Sequence, residues 1–272
     1  MDPKNKLNFV GSRQLNYWKE VDLYIGGIEH ASGHLLYSRF WQKFLYDYNL
    51  VPVDEYAKKL VNQGMILGNS AFIFRASKTN TYVSKNLVND NQFERVRIDI
   101  SLVNENDELD IKKLKKWLPE FKDANFKLEN GKYIVAREIE KMSKSKFNVI
   151  NPDDICIKYG ADTLRLYEMF LGPIEQSKPW SMSSISGVHN FLKKTWKLFH
   201  LGNNFEVSKN DPSVNSLKSI NKAIKKVNED IQKLSFNTCI SSLMICVNEL
   251  LDQKCNSLVI LKPLLILISP FA

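Results

Sequence analysis

Residues 21–27, VDLYIGG, form a short apolar run that ends in two glycines and leads straight into a long amphipathic stretch. Such a run, closed by turn formers, reads as a short buried strand. The stretch that follows, IEHASGHLLYSRFWQKFLYDYNL, sets Leu35, Leu36, Phe40, Phe44 and Leu45 at helical spacing. Strand, glycine turn and helix in that order open an α/β unit, which excludes an all-helical or all-β fold for this end of the chain. EYAKKLVNQGMIL extends the pattern as a second, shorter helix ending at Gly64, with a short strand after it.

From about Asn69 to Glu138 the texture changes. AFIFRASKTNTYVSKNLV and FERVRIDISLVNENDELD predict strands and turns, IKKLKKWLPEF a short helix, and FKLENGKYIVAREIE a hairpin about Asn130-Gly131. This polar, β-rich stretch reads as an inserted surface module. PDDICIKYG and ADTLRLYEMFLG then predict two helices, the first opened by Pro152 and stopped by Gly160. From Ser183 onward the pattern is helical almost throughout. Val188, Phe191, Leu192, Trp196 and Phe199 mark one apolar face, and a joint falls near Ser235 to Asn237. The boundaries are placed at 1–68, 69–138, 139–182 and 183–272.

A net charge of +8 and a pI near 9.1 favour a polyanionic partner, an RNA or a nucleotide. Cys156, Cys239, Cys246 and Cys255 form no C-x-x-C pair and no zinc-finger spacing, so they read as reduced thiols of a cytoplasmic protein, three of them on helices. MDPKNKLNF lacks the apolar core of a secretory signal. LVILKPLLILISPFA is broken by Lys262-Pro263 and falls short of the roughly 20 apolar residues of a membrane span, so a buried helix is expected and no membrane. Both ends read as cut, Met1 being an internal methionine of something longer.

Gly26 and Gly27 sit between strand and helix, where missing side chains would let nucleotide rings lie against the backbone. A tight turn that needs glycine for geometry alone explains a lone Gly-Gly as well or better. Glu29, just after the turn, could accept both hydroxyls of a ribose. His30 and His34 share a helix face by spacing. Zinc is the sharp alternative, but H-A-S-G-H lacks the glutamate of H-E-x-x-H and has no evident third ligand, so no metal site is assigned to the protein. The imidazoles line a substrate pocket or are structural. In EIEKMSKSKFNVINP, Lys141 and Lys144 alternate with small hydroxyl residues that would let a loop approach a triphosphate. Composition alone favours a solvated loop, and a general basic patch is the other bland reading.

EKMSKSKFNVINPDDICIKYGADTLRLYEMF resembles the catalytic loop and following helices of the class I aminoacyl-tRNA synthetases, and VDLYIGGIEHASGHLLYSRFWQKFLYD with LVNQGMILG narrows the resemblance to leucyl-tRNA synthetases of bacterial type. It covers about Asn16 to Ala272. The fold so implied is α/β, the second half of a Rossmann-like catalytic domain with a small β-rich insertion before the loop, followed by the opening of an α-helical anticodon-side bundle. The resemblance implies that Lys141, Met142, Ser143, Lys144 and Ser145 close over ATP, Lys144 on the phosphates and Lys141 beside it as a second catalytic cation. It implies Gly26, Gly27 and Glu29 at the adenosine with Glu29 on the ribose, Gln63 and Ile66 near the adenine, and Tyr24, His30 and His34 around leucine. The implied partners are ATP with magnesium, leucine and tRNA-Leu. No H-x-G-H occurs in the chain and the editing domain is missing, so a separate N-terminal half is an expected partner and activity of this chain alone is not expected. A non-catalytic tRNA-binding module is the alternative, and a valine, isoleucine or methionine relative a further one.

Overall fold

The computed structural model describes residues 2–77, 79–89 and 93–272. Strand β1 (Tyr24–Gly27) and strand β2 (Leu60–Gln63) pair in parallel, with Tyr24 opposite Leu60 and Gly27 opposite Gln63. Between them run a 3-10 turn (Ile28–His30), a π turn (Ala31–Leu35) and helix α2 (Leu36–Asp47); helix α1 (Ser12–Trp18) precedes them. Parallel neighbours need a crossover, and α2 is that crossover, so the expected α/β unit is present.

Two expectations fail here. The second helix, expected over 55–64, does not form: Leu60–Gln63 is β2, whose backbone groups pair in parallel along β1. Nor is β1 buried. Ile25 is 43% exposed, α2 has no buried residue, and Tyr37, Phe40 and Trp41 are all more than half exposed. Val61 is the one buried hydrophobic residue among the described residues before β3. The apolar residues lie on a strand and a helix, but this two-stranded unit does not by itself supply a surface to cover them.

A six-stranded sheet follows. Strand β3 (Ile66–Ala76) runs through it, longer than the short strand expected, and pairs antiparallel with β5 (Phe93–Ile98) and β7 (Ala136–Lys141). Strand β4 (Thr81–Val83) pairs β3 on one side and β6 (Asn125–Lys127) on the other. Helix α3 (Ile111–Trp117) covers this sheet with Leu114 fully buried beside Phe121, Tyr133 and Ile73. Asn130 and Gly131 turn with φ of 48° and 80°, the left-handed pair that an Asn-Gly turn provides. The expected hairpin is nevertheless reduced to one bridge, Glu129 to Lys132, because β6 and β7 go to different partners.

Helices α4 (Pro152–Tyr159) and α5 (Ala161–Phe170) lead through strand β8 (Lys178–Pro179), on the edge of β3, to α6 (Met182–Lys197). After a small hairpin of β9 (His200–Leu201) and β10 (Asn204–Phe205) come α7 (Val214–Gln232), α8 (Phe236–Asp252) and α9 (Leu258–Ile268). Their core joins Leu166, Tyr167, Ile185, Val188, Leu243 and Leu264. The joint between α7 and α8 lies at Leu234, in left-handed conformation, and Ser235. Trp196 departs from its expected place in this core: it is 65% exposed. No helix among the described residues is long and apolar enough to cross a membrane. Cys156, Cys239 and Cys246 lie on helices and all four cysteines are free thiols.

Candidate nucleotide site

Register brings the first group of residues together. Gly27 faces Gln63 across β1 and β2, and Gly26 faces Asn62. Neither glycine has a positive φ, Gly27 standing at φ −71°, ψ 143°, so the turn does not require glycine for its backbone angles. Space differs between the two positions. A Cβ on Gly27 would overlap the Glu29 carboxylate, which folds back over that residue, whereas a Cβ on Gly26 would meet nothing within 4 Å. Gly26 thus leaves an open backbone face and Gly27 seats an acid beside it. Asn62 Oδ1 is enclosed without a hydrogen-bond partner among the described residues, a polar group the sequence did not single out.

The Tyr24 hydroxyl and His34 Nε2 share a hydrogen bond, and Tyr24 meets Tyr56 edge-on at 5.4 Å. His30 does not join this group. The face-sharing argument assumed a regular α-helix, but 3-10 and π turns separate the two histidines. Among the described residues no three His, Cys, Asp or Glu side chains are grouped to hold a metal ion.

From Gln63 only four residues lead to Leu67, which pairs with Lys141 at the end of β7, about 13 Å of extended chain. Gly64 makes this crossing possible: a Cβ would collide with the backbone of Gln176, and the Gly64 amide donates to Ile174 O at 2.9 Å. Ile66, half-buried, pairs with Lys178. A cavity of about 240 Å³ opens beside this crossing, lined by Gln63, Ile66, Glu168 and Lys178 among others. Burial pushes the Glu168 carboxyl up and the Lys178 ammonium down.

Beyond Lys141 the chain forms a compact loop. Ser143 starts a 3-10 turn over Lys144–Lys146, and Phe147 closes it in left-handed conformation at φ 54°. Asn148, 1% exposed, holds both ends. Its Oδ1 accepts from the Ser143 amide at 2.9 Å, and its Nδ2 donates to Lys141 O at 3.3 Å and to Ser70 Oγ at 2.9 Å. Ser70 Oγ in turn donates to Glu140. Lys146 is tied to Glu140, with Arg97 on the same carboxylate at 3.3 Å. Lys141 and Lys144 are exposed and enter no ion pair among the described residues. Met142 is half-buried against the helical core, and Ser143 and Ser145 hydroxyls meet at 2.9 Å. Of Lys141 at the end of β7 and Lys144 and Lys146 on the loop, only Lys146 is tied to a carboxylate among the described residues.

Hydrogen bonds from Lys146 and Ser70 hold the Glu140 carboxyl down at about 2, with Arg97 adding to the effect. A carboxylate lowered in the folded state contributes stability that is complete above its ordinary value and is lost as pH falls through the folded one. Glu140→Gln is expected to melt below wild type at pH 6, with the gap closing between about pH 4.5 and 2. Thermal melting of both proteins across that range measures it, and a gap independent of pH would refute the assignment.

Comparison with known proteins follows the same segments. Residues 127–180 match the family described as tRNA synthetases class I (I, L, M and V). Over all 272 residues the chain is 61% identical to a leucine–tRNA ligase of Christiangramia forsetii, and it is 57% identical to that of Flavobacterium johnsoniae over 273 aligned positions. The chain spans 28% and 29% of the lengths of these relatives. A solved LeuRS of Agrobacterium radiobacter K84, in ternary complex with tRNA and LeuAMS, superposes on 92% of the chain and 26% of its own, with a TM-score of 0.56 and 25% identity.

Proposed function

We infer that this chain, related from end to end to the leucine–tRNA ligases of class I, carries one half of the site at which leucine is activated by ATP for transfer to tRNA-Leu. The open loop with its two unpaired lysines is the observation that carries this reading. In the first step a leucine carboxylate oxygen bonds to the α-phosphorus of ATP, the bond to the β-phosphate bridging oxygen breaks, and pyrophosphate leaves. Lys144 meets the charge that grows on the leaving group, and Lys141 assists. Hydrogen-bond donors placed on such charge act where it develops. Glu29 takes the ribose hydroxyls, Gly26 gives the base its backbone face, and Gln63 and Ile66 flank the adenine. Tyr24 and His34 line the leucine pocket, with His30 at its edge. With no acidic cage grouped for it among the described residues, magnesium would ride on the phosphates, as this ion does at many triphosphate sites. A hydroxyl of the 3′-terminal ribose of tRNA-Leu then bonds to the leucyl carbonyl carbon, the bond to the adenylate oxygen breaks and AMP leaves, in the cytoplasm.

The exposed apolar surface of β1 and α2 supports a second component of the proposal: a complementary N-terminal half, carrying the H-x-G-H motif this chain does not contain, covers it and completes the site. The test is leucine-dependent ATP–pyrophosphate exchange by the chain alone and after mixing with that half made separately. Exchange only on mixing is the expected result. Exchange by the chain alone would overturn the need for a second half. No exchange in either case, from folded protein, would favour a tRNA-binding module without catalysis.

Gly27→Ala separates site from scaffold. The new methyl displaces only the flexible Glu29 carboxylate, so circular dichroism should be unchanged. ATP affinity of the mixed halves should fall about 10-fold or more, the worth of a charged hydrogen bond to the ribose. Unchanged ATP affinity would remove Glu29 from the site.

A further inference from the structure

The crossing from β2 to β3 is held by a distant part of the chain. Residues 172–180, between α5 and α6, run beside residues 64–67 as a strap that includes β8. Three backbone bonds tie the two segments: Gly64 N–H to Ile174 O at 2.9 Å, Lys178 N–H to Met65 O at 2.9 Å and Trp180 N–H to Leu67 O at 2.8 Å. A fourth runs through a side chain, the Met65 amide donating to Ser177 Oγ at 3.0 Å. The strap is itself anchored. Lys178 Nζ donates to Pro173 O, its stem crossing Gly172, where a Cβ would meet Lys178 Cε at 2.8 Å. Trp180 packs edge-on against Tyr167 at 4.8 Å. The Tyr167 hydroxyl donates to Ser181 O at 2.7 Å and accepts from Ser181 N–H at 3.0 Å, and the ring is fully buried in the helical core. The bundle thus fixes the strap, and the strap fixes the crossing.

What the crossing joins gives this a consequence. Gln63 is placed by its pairing with Gly27, and Ile66 by its pairing with Lys178 of the strap. The spacing between these two residues is therefore set at the Met65 peptide, where Ser177 supplies a bond. Residues held in place before a ligand arrives do not lose freedom when it binds, so a fixed crossing favours whatever Gln63 and Ile66 flank. The other parts of the proposed site are placed by different contacts. Tyr24 and His34 bond each other, and the lysine loop is held by Asn148 and by the pairing of Leu67 with Lys141. Loss of the Ser177 bond leaves all of these intact.

We propose that Ser177 is a positioning residue for the adenine end of ATP, acting through the Met65 amide on the spacing of Gln63 and Ile66. The proposal rests on the reading above, in which those two residues flank the adenine. Leucine-dependent ATP–pyrophosphate exchange by the mixed halves tests it, with adenosine and inorganic tripolyphosphate as separate inhibitors for the two ends of the nucleotide. Ser177→Ala is expected to raise KM for ATP and the inhibition constant of adenosine about 3- to 10-fold, the worth of one neutral hydrogen bond. A loss confined to binding leaves kcat unchanged. KM for leucine and the inhibition constant of tripolyphosphate should not move, whereas a general loosening of the fold would raise all four constants. Ser177→Thr keeps the hydroxyl and should retain the wild-type values. Amide exchange at Met65 in the full chain should quicken in Ser177→Ala and not in Ser177→Thr. An unchanged KM for ATP in Ser177→Ala, an equal rise for leucine or tripolyphosphate, unaltered protection at Met65, or failure of Ser177→Thr to retain the wild-type values would each overturn the proposal. No exchange by the wild-type mixture would sink the catalytic reading and this proposal with it. Wild-type exchange beside unmoved constants in Ser177→Ala would sink this proposal alone.

Discussion

Replacing Lys144 by alanine is expected to lower leucine-dependent ATP–pyrophosphate exchange by the mixed halves about 10²–10³-fold, the usual effect of removing one donor from developing charge. The structure gives the reason for choosing this lysine. It stands exposed on the 3-10 turn at the crest of the loop and enters no ion pair among the described residues. Two residues on, Lys146 is held by Glu140 beneath the loop. Lys146→Ala should therefore affect stability more than rate. Circular dichroism and the melting temperature of Lys144→Ala should match wild type, since no described hydrogen bond of its ammonium is lost. Lys144→Arg keeps the charge but replaces a compact ammonium by a planar fork, so partial activity is expected. Full activity of Lys144→Ala, or an equal loss from Lys146→Ala, would show that the phosphates lie elsewhere.

Asn148→Ala is the second large effect, and it acts on the loop rather than on the chemistry. The side chain is almost fully enclosed and bonds Ser143 N–H, Lys141 O and Ser70 Oγ. Deleting it strands these groups, at a cost on the order of 3 kcal/mol for a net of about 1 per bond. The denaturant midpoint should fall accordingly. The loop should also lose its fixed ends: amide exchange at Ser143 should rise strongly, and the exchange reaction should slow although no group that touches ATP has changed. Asn148→Asp supplies the control. It keeps the acceptor for Ser143 N–H but turns both Nδ2 donors into an oxygen facing two oxygens. If Asn148→Ala leaves both midpoint and Ser143 protection unaltered, Asn148 does not hold the loop.

How much of this could be read from the chain varied with the range of the interaction. The two helices opened by Pro152 and divided by Gly160 follow from local rules, and the structure has them within two residues of the expected limits. The alternation of cations with small residues after β7 was visible locally, but it did not say which lysine an acid would hold. The helix expected over 55–64 is absent because so short a stretch has too few apolar residues to separate helix from strand, and only the parallel partner β1 decides for Leu60–Gln63. Trp196 was misread for a related reason: it lies at helical spacing with core residues, but the hairpin after α6 provides a stacked histidine outside the core. Asn148 carried no signal at all. An asparagine ahead of a helix is an ordinary cap candidate, and its burial depends on Ser70, 78 residues away.

By itself the sequence determined the elements whose hydrogen bonds close within a few residues, and the chemistry that short motifs display: a glycine turn, an acid after it, a lysine loop. Tertiary structure alone decided which of those groups meet. Parallel register set Gln63 against Gly27, and the fold brought the Glu29 carboxylate back over that glycine. Pairing of β3 with β7 carried Ser70 under the loop and left Lys144, not Lys146, free. The division is physical: a local rule needs only the backbone geometry of neighbours, whereas a choice between two chemically equal lysines is made by whichever distant acid the fold brings within reach.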